Sequence, residues 1–182
     1  VQYGLKRPSE VTPPWPTFIL ASIHRMETLL SRRRLRFVVQ VLAKAVEKDP
    51  VLFLLHEPTR RALTRFGWMD RLENSRNIRC QSLVSHANFL HLLHQARCVI
   101  TDGGSVQEES FYLGVPCLLL RDRTERPEGI DPPGNVFLAR WNWDRVERFL
   151  KSPQMYRHRE SIPSRQPSRV VVEALWSFPN GR

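Results

Sequence analysis

Residues 98–120 read CVITDGGSVQEESFYLGVPCLLL, and their reading decides the fold. Cys98 to Thr101 is a continuous apolar run of strand length, and Val115 to Leu120 is another. Between them Asp102, Gly103 and Gly104 make a turn, and a helix over Ser105 to Leu113 places Val106, Ser110 and Leu113 on one side. A strand that reaches its neighbour through a helix runs parallel to it. Apolar runs without polar alternation belong to strands buried on both faces, so helices must cover the sheet above and below.

The same alternation extends outward in both directions. Upstream, His86 to Ala96 carries Phe89, Leu92, Leu93 and Ala96 at helical spacing, behind a weak strand over Ile78 to Cys80. Thr59 to Phe66 reads as a helix and Val51 to Leu55 as a strand. Ser31 to Lys48 is a helix with Leu35, Val38, Val39, Leu42 and Ala45 facing inward, and Thr17 to Ser22 is the first strand. Residues 1–16, with Pro8, Pro13, Pro14 and Pro16, read as an extended lead-in, leaving 17–182 as one domain. Downstream come a strand over Val136 to Leu138, a helix over Trp143 to Lys151, a polar loop through Gln166 and a helix near Ser168 to Trp176. The fold class is α/β with a doubly wound parallel sheet, in which ligands bind outside the carboxyl ends of the strands.

Composition agrees with one packed domain. At 182 residues, 41% hydrophobic and 25% charged, the chain can bury roughly 70% of its unfolded surface without staples. Pro 14 and Gly 8 are too few for a low-complexity chain. The longest apolar runs fall far short of the ~20 residues that span a bilayer, so neither a transmembrane helix nor a signal peptide is expected. Cys80, Cys98 and Cys117 have no CxxC spacing and are expected as buried free thiols of a cytoplasmic protein, with no metal site. A first residue of Val1 rather than Met suggests a piece of a longer chain. The net charge of +10 invites a nucleic-acid reading, but the densest cluster, Arg32, Arg33, Arg34 and Arg36, falls mostly on the outer face of a helix, and no nucleic-acid module motif accompanies it.

Three strand-to-helix loops carry candidate chemistry. His24 and Arg25 follow the first strand and could present an imidazole and a guanidinium to a phosphate, or be plain loop residues. Gly103 and Gly104 let the backbone approach a ligand at a helix N-terminus, where free N–H groups favour an anion. The alternative is a structural turn in which Ser105 caps the helix and Glu108 completes a capping box. Glu109, one turn into the helix, could accept the two hydroxyls of a ribose or be solvated. The third loop, Arg121 to Gly129, packs three arginines and three acids behind the most apolar strand.

Together the second and third loops, TDGGSVQEESFYLGVPCLLLRDRTERPEGI, closely resemble the signature of the UDP-N-acetylglucosamine 2-epimerase family: TDSGG, QEE, LGKP, an apolar strand, then RDxTERPE. FILASIHRMET is similar to the family's strand followed by HRxEN, and HANFLHLLHQARCVITD to its helix and strand before TDSGG. The resemblance implies the C-terminal, nucleotide-binding half of an enzyme with two Rossmann-like domains in the glycosyltransferase-B arrangement. It implies His24 at the diphosphate and reacting centre with Arg25 beside it, and uracil held by the backbone at Phe89. The turn of Gly103, Gly104 and Ser105 would hold the diphosphate, with Glu109 on the ribose and Arg126 at the phosphates. The implied reaction removes the C2 proton of the sugar and eliminates UDP to a glycal, then re-adds UDP, or water in hydrolysing members. The C2 acids and bases would come largely from an N-terminal half. No cofactor is implied.

The chain departs from the pattern at several places. DSGG becomes Asp102, Gly103, Gly104, Ser105, and HRxEN ends in Thr28 after Met26. HxNP appears as His56, Glu57, Pro58, Thr59, and NPYGDG is not recognisable between Tyr156 and Val170. The expected partners are UDP-N-acetylglucosamine and the N-terminal half, with a homodimer open and neither nucleic acid nor membrane. A non-catalytic UDP-sugar-binding module and the C-terminal half of a glycosyltransferase are the alternatives, and the isolated chain is expected to be inactive.

Overall fold

The computed structural model describes residues 1–130, 134–159 and 167–177. In chain order the elements are α1 (Gln2–Leu5), β1 (Ile19–Ile23), α2 (Met26–Leu29), α3 (Arg32–Ala45), β2 (Val51–Leu55) and α4 (Glu57–Arg65). Then follow α5 (Met69–Glu73), β3 (Ile78–Ser82), α6 (His86–Gln95), β4 (Cys98–Thr101), α7 (Gly104–Tyr112) and β5 (Cys117–Leu119). β6 (Val136–Leu138), α8 (Trp143–Lys151) and α9 (Pro167–Ser177) complete the described chain. The six strands form one sheet in the order β3-β2-β1-β4-β5-β6, every pair parallel. This is a Rossmann-like, doubly wound α/β fold.

The continuous apolar strands are explained by the two layers they serve. Successive side chains of a strand point to opposite faces. Ile19, Ala21 and Ile23 of β1 and Val51, Phe53 and Leu55 of β2 therefore join one cluster, with Leu35, Val38 and Leu42 of α3 and Val146 and Phe149 of α8. Leu20, Leu52 and Leu54 join the other, with Leu90 and Leu93 of α6 and Val106 of α7. All five α3 positions expected to face inward are buried, while Arg32, Arg33 and Arg36 are exposed.

Several expectations are corrected. The lead-in over 1–16 is not wholly extended, because residues 2–5 form α1, which lies against α6 and, with Leu5, Val11 and Trp15, packs on the second layer. α2 and α5 were not foreseen, since elements of four and five residues show no helical period. The strand expected over Val115 to Leu120 shortens to Cys117–Leu119, and Pro116 has no N–H to join the ladder. Residues 160–166, part of the expected polar loop, lie outside the described residues. Cys98 and Cys117 are buried free thiols, whereas Cys80 is only half-buried. Burial pushes the Cys117 thiol up to about 12 and the Cys80 thiol up to about 11, so neither is a thiolate near neutrality. No helix among the described residues is long and apolar enough to cross a membrane.

Candidate functional site

The strand order reverses between β1 and β4, which are hydrogen-bonded neighbours. The crossover leaving β1 covers one face and that leaving β4 the other, so the loops part and open a crevice at the carboxyl edge. His24 and Arg25 stand at the end of β1, Asp102 and Gly103 at the end of β4. Asp102 is fully buried and laces the two loops together. Its carboxylate accepts the backbone N–H of His24 at 2.9 Å and of Arg25 at 3.2 Å. Beside it the Thr101 hydroxyl donates to the Ser22 carbonyl at 2.8 Å and accepts from the Gly103 N–H at 3.0 Å. Charge-assisted bonds of this kind are among the stronger ones in a folded chain. They fix where the His24 side chain leaves the backbone.

The two glycines serve close approach rather than a special turn. Gly103 is the N-cap of α7 with φ −87° and ψ 134°, a conformation open to any residue. A methyl group there would run into the His24 imidazole. One at Gly104 would stand 3.0 Å from both Cζ and Nε of Arg126. An imidazole and a guanidinium thus press on the first turn of α7, where a side chain at Gly103 would displace His24 and one at Gly104 would crowd Arg126. The alternative, a Ser105 cap, does not form. The extended Gly103 lets the helix start one residue before Ser105, which is exposed within the first turn and already helical. Glu108, its supposed partner, instead pairs with Arg126 at 2.9 Å. Among the described residues α7 consequently has no side-chain cap, and its first N–H groups are open at the sheet's carboxyl edge.

Arg126 is held in place from below by Gln107, a role not foreseen from the sequence. Gln107 is fully buried; its amide donates to the carbonyls of Arg126 at 2.9 Å and Glu128 at 3.2 Å. Its carbonyl accepts from the Thr124 hydroxyl at 2.8 Å, and Thr124 in turn accepts from the Arg126 N–H at 3.2 Å. A polar residue one helical step from the apolar Val106 was the available signal.

Beside the α7 N-terminus lies a cavity of about 270 Å³. His24, Phe89, Ser105 and Glu109 line it, joined by two residues given no role in advance, His56 and His86. The His24 and His56 rings lie 4.8 Å apart, and His24 Nδ1 is buried without a hydrogen-bond partner among the described residues. Burial, then the neighbouring His24, lowers the His56 pKa, while Asp102 pulls weakly the other way. Glu109 is largely buried, at 16% side-chain exposure, and meets His86 Nε2 at 2.7 Å. Of the remaining candidates, Gly103 lies against His24 and Gly104 against Arg126. Arg25 lies outside the cavity, its guanidinium 2.6 Å from Glu27.

Known proteins share the sequence pattern and fold of this chain. Residues 5–167 match the family described as UDP-N-acetylglucosamine 2-epimerase. The UDP-N-acetylglucosamine 2-epimerase of Methanocaldococcus jannaschii is 31% identical over 140 residues, 76% of this chain and 37% of the relative. That of Methanococcus maripaludis is 36% identical over 144 residues, 74% of this chain and 38% of the relative. The solved structure of the M. jannaschii enzyme superposes with a TM-score of 0.77 at 27% identity, covering 89% of this chain and 46% of that one. Its complex with UDP-N-acetylglucosamine and UDP gives 0.75 at the same identity, covering 88% and 46%. The chain spans less than half the length of these relatives. With the family's pattern matched over most of its length and two relatives above 30% identity, this chain belongs to the UDP-N-acetylglucosamine 2-epimerase family.

Proposed function

We propose that this chain is the C-terminal, UDP-binding half of a UDP-N-acetylglucosamine 2-epimerase. The observation that carries the reading is the uncapped N-terminus of α7, with Arg126 over its first turn and His24 and Glu109 in the adjoining cavity. The diphosphate sits on the open N–H groups of Gly104 to Val106, with the exposed Ser105 hydroxyl as a further donor and Arg126 neutralising its charge. Glu109 accepts the ribose hydroxyls, and the backbone at Phe89 holds the uracil. His24, braced through Asp102, faces the sugar–phosphate bond.

Removal of the C2 proton leaves electrons that form the C1–C2 double bond as the C1–O bond breaks, and UDP departs with the pair. The α7 N-terminus, Arg126 and His24 hold the charge that gathers on the departing oxygen, where preorganised donors contribute most. Re-addition of UDP to the glycal, with proton return to the opposite face of C2, gives the manno sugar; addition of water gives the free sugar. An N-terminal Rossmann-like half supplies the acids and bases at C2, so the chain alone binds UDP without turning substrate over.

Titration calorimetry with UDP tests this directly. The chain should bind UDP, and Arg126→Ala should weaken binding about ten- to a hundredfold, the worth of one charge-assisted contact. Absence of binding by the unmodified chain would overturn the proposal. Joined to its N-terminal half, the chain should convert UDP-N-acetylglucosamine; neither epimer nor free UDP appearing would refute the catalytic part.

A further inference from the structure

We infer that His86 is a positioning residue for nucleotide binding, holding the Glu109 carboxylate ready for the ribose. The inference rests on the ribose role proposed for Glu109. His86 is the first residue of α6 and Glu109 belongs to α7, so the contact bridges two helices across the cavity mouth. His86 Nε2 lies 2.7 Å from Glu109 Oε1, and both residues line the same cavity as Phe89. An ionised carboxylate only accepts hydrogen bonds, so Nε2 carries the proton and donates. The Glu109 carboxylate makes no other hydrogen bond among the described residues. Its second oxygen and the remaining lone pair of the first are therefore open to two hydroxyl donors, the requirement of a vicinal diol.

The burial of the pair is lopsided, which separates it from an ordinary surface ion pair. Glu109 has 16% side-chain exposure and His86 63%. An exposed pair contributes little, because both partners are mobile and hydrated. Here the carboxylate is confined to the cavity wall, and a single outer donor selects its orientation before any ligand arrives. Binding then spends less on ordering a three-torsion side chain, which is preorganisation.

The test compares UDP with inorganic pyrophosphate, which has the diphosphate but no ribose, by calorimetry on the full chain. His86→Ala should weaken UDP about five- to tenfold, the size of one neutral hydrogen bond, and leave pyrophosphate unchanged within about twofold. His86→Gln, which keeps a donor, should recover most of the loss. On a Glu109→Gln background, His86→Ala should add nothing further. UDP binding that falls with Glu109→Gln but is indifferent to, or tightened by, His86→Ala would overturn this inference alone. Equal weakening of UDP and pyrophosphate would assign His86 to the general fold instead and would overturn it too. Failure of the unmodified chain to bind UDP would defeat the site assignment and this inference with it.

Discussion

Helices α6 and α7 begin at the same edge of the sheet and line the same cavity, yet one is closed at its N-terminus and the other open. At α6 the Ser85 hydroxyl accepts from the Asn88 N–H. At α7 the cap position is Gly103, which has no side chain to offer. α3 and α8, which do not line this cavity, are closed in the same manner as α6, by Ser31 and Asn142. The difference separates two ways of meeting a ligand. α6 has one of its first-turn donors capped and lines the cavity with His86 and Phe89. α7 has no side-chain cap among the described residues, which costs helix stability and, in the proposed reading, leaves a place for the diphosphate.

The strongest way to break this contrast is to close α7. Gly103→Asp places a good cap on the helix, but the carboxylate takes the first-turn donors, opposes a diphosphate and crowds the His24 ring. UDP affinity should fall by about a hundredfold or more, more than 2.7 kcal/mol, while circular dichroism shows a folded chain. Retained affinity would show that the open terminus is not the anion site.

A smaller effect comes from the brace between the loops of β1 and β4, which has no counterpart at α6. Asp102→Asn keeps the shape but can accept at only one oxygen, leaving its amide against a backbone N–H that Asp102 now satisfies. The cost should be about 1–3 kcal/mol, read as a fall in melting temperature of roughly 2–4 °C per kcal/mol for a domain of this size. An unchanged melting temperature would mean that the loops hold one another by other contacts.

The same two helices show how far the sequence could be read. Both were visible from apolar spacing, as was the β4–α7–β5 unit, because buried strands and one-sided helices leave periodic traces. The strand at β3 was weak for the converse reason: it is an edge strand with only Ile78 buried, and it runs to Ser82 without an apolar mark. Within the site, His24, Phe89, Ser105 and Glu109 came from motif order, and they do line one cavity. Asp102 reaching His24 and His86 reaching Glu109 were not legible, since each pairing depends on two chain segments that only the strand order and helix layer bring together. The alternative of a Ser105 cap was locally complete in the sequence, but α7 starts one residue earlier, with Gly103 at the cap position against His24 and Gly104 against Arg126.

The mildest test works from the closed side. Ser85→Ala removes the α6 cap and should destabilise the chain by about 1 kcal/mol, the usual cost of losing a serine N-cap. Its hydroxyl is engaged with Asn88 rather than with the cavity, and Ser85 is not among the cavity's lining residues. UDP affinity should therefore stay within about twofold, well under the 1.4 kcal/mol of a tenfold change. Stability would drop without a change in binding at α6, whereas Gly103→Asp removes binding in a folded chain at α7. If Ser85→Ala instead weakened UDP as much as His86→Ala does, the α6 terminus would be positioning His86 through its backbone. The division between a helix that supports and a helix that binds would then have to be redrawn one residue further along α6.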